Sequence, residues 1–358
     1  MVLMRIMDRI VKDRRSNLTT ENKIENIEIK KKYNSIDVVK FIMAIAVIAI
    51  HTCPLVNCNN KNTLTIYNNI VNMAVPFFFL ASGYLLSIKL SFPYNLNDML
   101  IIKNFLYKII KMYLCWMIIY TPLAIYHFIS DNSSIIKAVL MYIRGLLFIG
   151  EQYNSWQLWY LLSTIYTIIL IIILIKNKYL RWQGIEISII ISVIMISLNW
   201  LVEYEGTVPF IVLFRQLTYY FINNGRIFTG AIYIPIGMYI AHKKISRKIN
   251  LTIFILGFIG NYFIENEIIS TYLLIITSIG LFGIVESINL KDNALYPFLR
   301  NMSTIIYFIH MYVWSFYYKI IYRQKTYGIN SFLITTIVSC IIACIYLIIK
   351  KRLLKIKQ

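Results

Sequence analysis

Two ionisable side chains, Lys40 and His51, enclose ten apolar residues in the first hydrophobic segment of the chain. Eleven residues of an α-helix turn through about 1100°, so the two side chains share one face, about 16 Å apart along the axis. Asp37 lies three residues before Lys40, close enough to pair with it. Because an imidazole accepts protons near neutral pH and an ammonium binds anions, this face could combine general-base catalysis with anion binding. The alternative is that Lys40 extends to the headgroups of one leaflet and His51 lies in the opposite interface.

The chain that must position these residues is strongly apolar. It has 358 residues, of which 59% are hydrophobic and 15% charged, and its mean hydropathy is +0.65. Soluble domains carry about 25% charged residues. Continuous apolar runs of membrane-spanning length recur, without the alternation of barrel strands, so we predict an all-α polytopic membrane protein. The net charge of +20 is attributed to cytoplasmic loops and not to nucleic-acid binding.

About ten transmembrane helices are predicted. The run at residues 135–149 is short and contains Lys137 and Arg144, so it is predicted to be an outer-face amphipathic or re-entrant helix. A basic tail (1–34) and a second basic tail (351–358) flank the predicted membrane domain (35–350). The predicted spans are residues 36–55, 68–88, 105–126, 157–176, 183–202, 222–241, 251–264, 269–288, 301–319 and 331–349.

Loop charges give the predicted orientation, with both termini in the cytoplasm. This topology places the basic loops Lys176–Arg181 and His242–Lys248 inside. It places the acidic connections Glu203–Glu205 and Glu265–Glu267 outside. The basic loop Tyr318–Lys325 departs from the pattern, because it falls on the predicted outer side.

Five motifs, in chain order, resemble those of the membrane-bound acyltransferase-3 family. The segment SIDVVKFIMAIAVIAIHTCPL is similar to its first helix, in which an Arg precedes a His by eleven positions, with Lys40 at the Arg position. VPFFFLASGYLL resembles its second-helix motif, and LYKIIKMYL its two-arginine motif, with Lys108 and Lys111 at the arginine positions. NSWQLWYLLSTIY resembles its Trp-rich helix start, and STIIYFIHMYV its Tyr-x-x-His motif through Tyr307 and His310.

The resemblance implies an enzyme that transfers an acyl group, commonly acetyl, from cytoplasmic acyl-CoA to a hydroxyl of a surface glycan, peptidoglycan or lipid at the outer face. Lys40 and His51 are then the predicted catalytic residues, with His51 as general base. Lys40, Lys108 and Lys111 are predicted to bind the phosphates of coenzyme A as point charges. Acyl-CoA is expected as a donor substrate and no cofactor as a covalently bound group. No Cys/His spacing resembles a zinc site.

Further polar and aromatic residues are predicted to line the substrate path. For the aromatic residues an interfacial belt is the alternative, and for His310 an interhelical hydrogen bond. Ser82 and Gly83 favour close helix packing over catalysis. The predicted lining residues are Asp37, Trp159, Tyr160, Arg226, Tyr307 and His310.

Two other functions stay open. The HTCPL sequence followed by VPFFFLASGYLL also resembles the membrane portion of vancomycin-resistance serine racemases, which implies a module that transports serine or another small molecule. We see no pyridoxal-phosphate site in these residues, so any soluble racemase is expected to be a separate partner. A purely structural membrane protein is the third alternative. In each case we expect contact with membrane lipids in a bacterial plasma membrane.

Overall fold

Helices make up the regular structure of the described chain. The computed structural model describes residues 33–91, 94, 96–176, 186, 190, 191, 193, 194, 206, 208–222 and 226–356, and no strand occurs among them. Six helical segments in this part are long and apolar enough to cross a membrane, which confirms the all-α polytopic class. The total of ten spans stays a prediction. The six segments are Asn34–Thr52, Lys61–Ser87, Leu96–Ser130, Trp156–Lys176, Ile269–Glu286 and Ile329–Leu353.

Twelve α-helices follow one another in the described residues. Short 3-10 or π turns precede or follow several of them, at Leu96–Asp98, Gly145–Ile149, Trp156–Leu158, Arg226–Phe228 and Tyr318–Tyr322. The helices are α1 (Asn34–Thr52), α2 (Lys61–Asn72), α3 (Ala74–Ser87), α4 (Met99–Ser130), α5 (Ile135–Arg144), α6 (Trp159–Lys176), α7 (Pro209–Ile222), α8 (Thr229–His242), α9 (Arg247–Phe263), α10 (Glu267–Glu286), α11 (Leu295–Tyr317) and α12 (Ile329–Ile356).

Polar residues fix several helix starts. The side chain that precedes α2, α5, α9 or α10 accepts a hydrogen bond from the backbone N–H three residues later. Such a cap satisfies one of the four N–H groups that the first turn leaves unpaired. The capping residues are Asn60, Ser134, Ser246 and Asn266.

The structure shifts the start of the sixth predicted span and agrees with the prediction that residues 135–149 do not cross the membrane. The sixth predicted span begins at residue 222, whereas α7 ends at Ile222 and α8 begins at Thr229. Pro209 starts α7, a position where its missing N–H costs nothing. Residues 135–149 form α5 and a π turn. A ten-residue helix is about 15 Å long, half the hydrocarbon thickness, which agrees with a segment that does not span.

Two predicted segments fall largely outside the described residues. They are the basic tail, residues 1–34, and the fifth span, residues 183–202.

The helices that position the predicted site are packed together. Helix α1 contacts α3 and α11, and α6 contacts α4 and α8. Helices α3 and α8 approach to backbone contact through two glycines. A Cβ atom on Gly83 would lie 2.1 Å from the carbonyl oxygen of Ile234, and one on Gly237 would lie 2.2 Å from that of Leu80. The sequence-based packing role of Gly83 agrees with this geometry.

Gly83→Ala is therefore expected to destabilise the protein by about 1–3 kcal/mol, because α3 and α8 must separate to admit the methyl group. A thermal melt of the purified protein, followed by size-exclusion chromatography, would measure the loss. Gly260→Ala is the matched control, since its added Cβ would meet side-chain atoms of Leu273, the nearest at 3.1 Å. A Gly83→Ala protein that melts at the wild-type temperature would contradict the close crossing.

Candidate active site

A cavity of about 160 Å³ lies between α1, α3, α4, α6 and α11. We call it the Lys40 cavity. Its apolar lining includes Phe105, Ile109 and Met112, which lie at helical spacing on one face of α4. Its polar lining is Lys40, Ser82, Tyr160, Arg300, Ser303, Thr304 and Tyr307.

Two cations share one carboxylate at this cavity. Arg300 at the start of α11 forms an ion pair with Asp37 of α1, with Nη1 and Oδ2 3.5 Å apart. Asp37, which is 6% exposed, also interacts electrostatically with Lys40. The predicted pairing of Asp37 and Lys40 is therefore extended by Arg300. One carboxylate cannot neutralise two cations, so this end of the cavity carries an excess positive charge suited to an anion.

Tyrosine hydroxyls line the cavity beyond the cations. The hydroxyls of Tyr160 and Ser82 are hydrogen-bonded at 2.8 Å. Tyr307 donates to the carbonyl oxygen of Gln157 at 3.2 Å, and the rings of Tyr160 and Tyr307 have centroids 5.7 Å apart. Tyr307 also contacts the ring of His310, at 6.4 Å between centroids. It thus connects the Lys40 cavity to the histidines.

His51 and His310 form a stacked imidazole pair. Their ring centroids are 5.4 Å apart with an interplanar angle of 26°, and the ring of Trp156 lies 5.6 Å from that of His51. His51 is at the last turn of α1, and His310 lies in the middle of α11. The structure therefore joins two residues that are 259 positions apart in sequence (310 − 51) and that belong to different motifs.

The hydrogen bonding of His310 fixes its neutral tautomer. Its Nδ1 lies 3.1 Å from the carbonyl oxygen of Ile306, which can only accept, so Nδ1 carries the proton. The other ring nitrogen, Nε2, is then a hydrogen-bond acceptor. Nε2 is buried and has no partner among the described residues. A buried acceptor without a donor costs free energy, so this atom is ready for a donor such as a substrate hydroxyl.

The structure places the remaining predicted residues outside this group. Lys108 and Lys111 are exposed on α4, because the cavity-facing positions of that helix are 105, 109 and 112. Trp159 packs against Phe79, with ring centroids 5.9 Å apart. Their predicted roles receive no direct support from the geometry.

Arg226 lies near a half-buried carboxylate. Its Nη1 is 4.0 Å from Oε2 of Glu151, which lies in the loop before the 3-10 turn Trp156–Leu158. Burial raises the pKa of the Glu151 carboxyl, and the charges of Arg226 and Arg144 oppose that rise. Arg226 also interacts electrostatically with His51. A cation thus lies within electrostatic reach of the imidazole pair.

Two residues of this region are missed by the sequence interpretation. In the sequence, Arg300 resembles any cation that flanks a membrane span. The one sequence feature that links it to the site is its position one turn before Ser303, which starts the STIIYFIHMYV motif. Gln157 is an amide in the Trp-rich motif. It is 1% exposed, and its Nε2 donates to the Tyr120 hydroxyl at 2.7 Å and to the Phe308 carbonyl at 2.9 Å. It ties the start of α6 to α4 and α11, which surround the cavity.

Comparisons with known proteins place this geometry in context. Residues 33–349 match the sequence model of a family described as acyltransferase domain. An amino-acid racemase of Enterococcus faecalis is 25% identical over 356 residues, which cover 92% of this chain and 48% of that protein. Another amino-acid racemase of E. faecalis is 28% identical over 218 residues, covering 59% of this chain and 28% of that protein.

A serine/alanine racemase of Enterococcus gallinarum is 32% identical over 125 residues, which cover 35% of this chain and 18% of that protein. The chain spans about half the length of the E. faecalis racemase that it matches over 356 residues. No solved structure matches the chain.

Proposed function

Since the chain belongs to the acyltransferase-domain family, whose model matches residues 33–349, we propose that it transfers an acyl group across the membrane. The donor is acyl-CoA at the cytoplasmic face, the group is acetyl, and the acceptor is a hydroxyl of a surface glycan, peptidoglycan or lipid at the outer face. One observation carries the proposal. A cationic cavity at one end of α1 connects through Tyr307 to a stacked imidazole pair at its other end.

The proposed reaction needs one proton acceptor and one leaving group. The acceptor hydroxyl attacks the thioester carbonyl and gives its proton to His51 as the new C–O bond forms. The C–S bond then breaks, and the coenzyme A thiolate takes the proton from His51. The products are an ester and a free thiol, so atoms and charges balance. His310, with Nδ1 bonded to Ile306, offers Nε2 as a second acceptor that orients the hydroxyl.

The donor is proposed to enter at the Lys40 cavity. Lys40 and Arg300 bind its phosphates, Arg300 through a planar fork that suits phosphate oxygens. Lys108 and Lys111, exposed on the neighbouring face of α4, add positive charge at the predicted cytoplasmic mouth. In the same proposal the chain is a multi-pass protein of a bacterial plasma membrane, with residues 35–350 as its membrane domain and a basic cytoplasmic tail at each end.

A transport module is the second candidate. This candidate is favoured because the Enterococcus relatives are racemases and the chain spans about half the length of one of them. In this alternative the chain moves serine or another small molecule, and a separate soluble protein acts on it.

The two candidates predict different chemical changes in cells. Deletion of the gene is expected to remove acetyl esters from a wall or glycolipid fraction, which mass spectrometry of both fractions would detect, and re-expression should restore them. Uptake of labelled serine by membrane vesicles without any acyl donor is the companion measurement. Unchanged acetyl esters together with gene-dependent serine uptake would overturn the acyltransferase proposal in favour of transport.

A further inference from the structure

The basic loop Tyr318–Lys325, which departs from the predicted charge distribution, lies beside the imidazole pair. The ammonium group of Lys319 is 3.7 Å from the ring centroid of Tyr126 and 5.3 Å from that of Tyr153. The ammonium of Lys325 is 5.3 Å from the centroid of Tyr153 and 5.2 Å from that of Trp156. We call these five residues the lysine–aromatic cluster. Both cations thus converge on the Tyr153 ring.

Buried hydrogen bonds hold both sides of the cluster in place. Asn154, fully buried with a left-handed backbone (φ 54°), donates to the hydroxyls of Ser315 and Tyr318 at 2.8 and 2.6 Å. This fixes the loop that carries Tyr153 and Trp156 against the end of α11. On the other side, the indole N–H of Trp314 donates to the carbonyl of Thr326, next to Lys325, at 3.1 Å. The cluster is therefore positioned by the fold and not only by the lysine side chains.

No carboxylate of the described residues balances the charges of the cluster. Among the described residues no ion pair joins Lys319 or Lys325 to a carboxylate. Asp131, a carboxylate of this region, is 3.4 Å from His127, whose ring stacks on Tyr153. The positive charges of Lys319 and Lys325 repel each other. A cation–π contact contributes about 0.5–1 kcal/mol at an exposed site and leaves the positive charge in place. An anion between the two lysines would relieve their repulsion.

Trp156 connects the cluster to the candidate catalytic residues. Its ring centroid is 5.6 Å from that of His51. The same ring centroid is 5.2 Å from the ammonium nitrogen of Lys325. A small molecule with a hydroxyl at His51 therefore has a cationic site one aromatic ring away. The topology predicted from the loop charges places this side of the bundle outside, where the acyl acceptor is expected.

We infer that the lysine–aromatic cluster binds the phosphate group of an anionic acyl acceptor and so holds the acceptor hydroxyl beside His51 and His310. The identification of the bound compound as the acyl acceptor rests on the proposed acyltransferase function. The binding of a phosphate group by the cluster does not depend on that function. It also explains why a basic loop lies on the predicted outer side. Lysines that bind a ligand there serve binding, and so they need not follow the rule that basic loops lie in the cytoplasm.

Calorimetric titration of the full-length protein tests the inference. The protein is placed in nanodiscs of phosphatidylcholine and titrated with glycerol 3-phosphate, or with glycerol as the uncharged probe. Lys319→Met/Lys325→Met removes both charges and keeps the length of the side chains. Lys61→Met/Lys350→Met is the matched control, since it removes two other exposed lysines and gives the same net charge.

Saturable binding of glycerol 3-phosphate is expected for the wild type and the control. At least a tenfold loss of affinity is expected for Lys319→Met/Lys325→Met, since hydrogen bonds to charged groups contribute about 1.5–3 kcal/mol each. Lys319→Arg/Lys325→Arg should bind as the wild type does. Equal affinities for glycerol and its phosphate, or wild-type affinity in the double methionine variant, would overturn the inference.

The lipid composition identifies the source of the phosphate. In nanodiscs of phosphatidylglycerol, a site that holds lipid headgroups would show a weaker apparent affinity for glycerol 3-phosphate than in phosphatidylcholine nanodiscs given the same surface charge with oleate, because the two surfaces repel the free phosphate equally. A site for a free phosphate compound would show the same affinity in both. No acyl donor is present in these titrations. Phosphate binding in a protein that lacks acyl transfer would therefore leave this site standing and overturn only the acyltransferase proposal.

Discussion

His51→Ala is expected to lower kcat of acyl transfer by about 10²–10⁴-fold, the usual contribution of a general base. Its imidazole is the one that the first helix places against both Trp156 and His310. The variant should still insert and fold, because His51 makes ring contacts but no hydrogen bond to any side chain or backbone group among the described residues. Release of the coenzyme A thiol by the reconstituted protein would measure the rate.

His242→Gln is the control for the loss of an imidazole. His242 ends α8 and its Nε2 is 2.9 Å from the Ser87 hydroxyl, so glutamine can keep a hydrogen bond there. Its activity should stay near that of the wild type. Full activity in His51→Ala would contradict the assigned base. If His310→Ala alone abolished transfer, the base would be His310, whose Nε2 has no protein donor among the described residues.

Lys40→Met is expected to raise KM for acyl-CoA by about 10–100-fold with a smaller change in kcat. The reason is that a charge-assisted hydrogen bond to a phosphate contributes about 1.5–3 kcal/mol to binding. Methionine keeps the apolar stem that lines the cavity and removes the ammonium. Steady-state kinetics over a range of acyl-CoA concentrations would separate the two constants.

The conservative variant Lys40→Arg separates charge from packing. Arginine restores the cation and adds a planar fork, so KM should return to the wild-type value or fall below it. Lys350→Met, in the last turns of α12, is the control for the loss of a lysine elsewhere. If KM for acyl-CoA stayed unchanged in Lys40→Met, donor binding at the Lys40 cavity would be wrong.

Features within one segment can be predicted from the sequence. The helix that carries Asp37, Lys40 and His51 follows from a single apolar run, and the structure forms it as Asn34–Thr52. The all-α membrane class follows from composition and is confirmed. The family resemblance, which five motifs in order supply, is confirmed by the match over residues 33–349.

Contacts between segments cannot be predicted in this way. The pairing of Asp37 with Arg300 and the stacking of His51 on His310 each join residues more than 250 positions apart, and no single-segment pattern encodes them. Helix periodicity alone also could not tell which face of α4 meets the cavity. It is the face of Phe105 and Ile109, and Lys108 and Lys111 lie beside it. The donor-binding role of these two lysines stays a prediction.

Transfer across the membrane is tested most directly in vesicles of known orientation. Labelled acetyl-CoA, which does not cross bilayers, is added to cytoplasmic-side-out vesicles that contain the protein. The account predicts that labelled ester forms on a luminal acceptor, protected from added esterase until detergent is present, and that His51→Ala vesicles form none. Ester formation in right-side-out vesicles only, or none in either orientation, would contradict it.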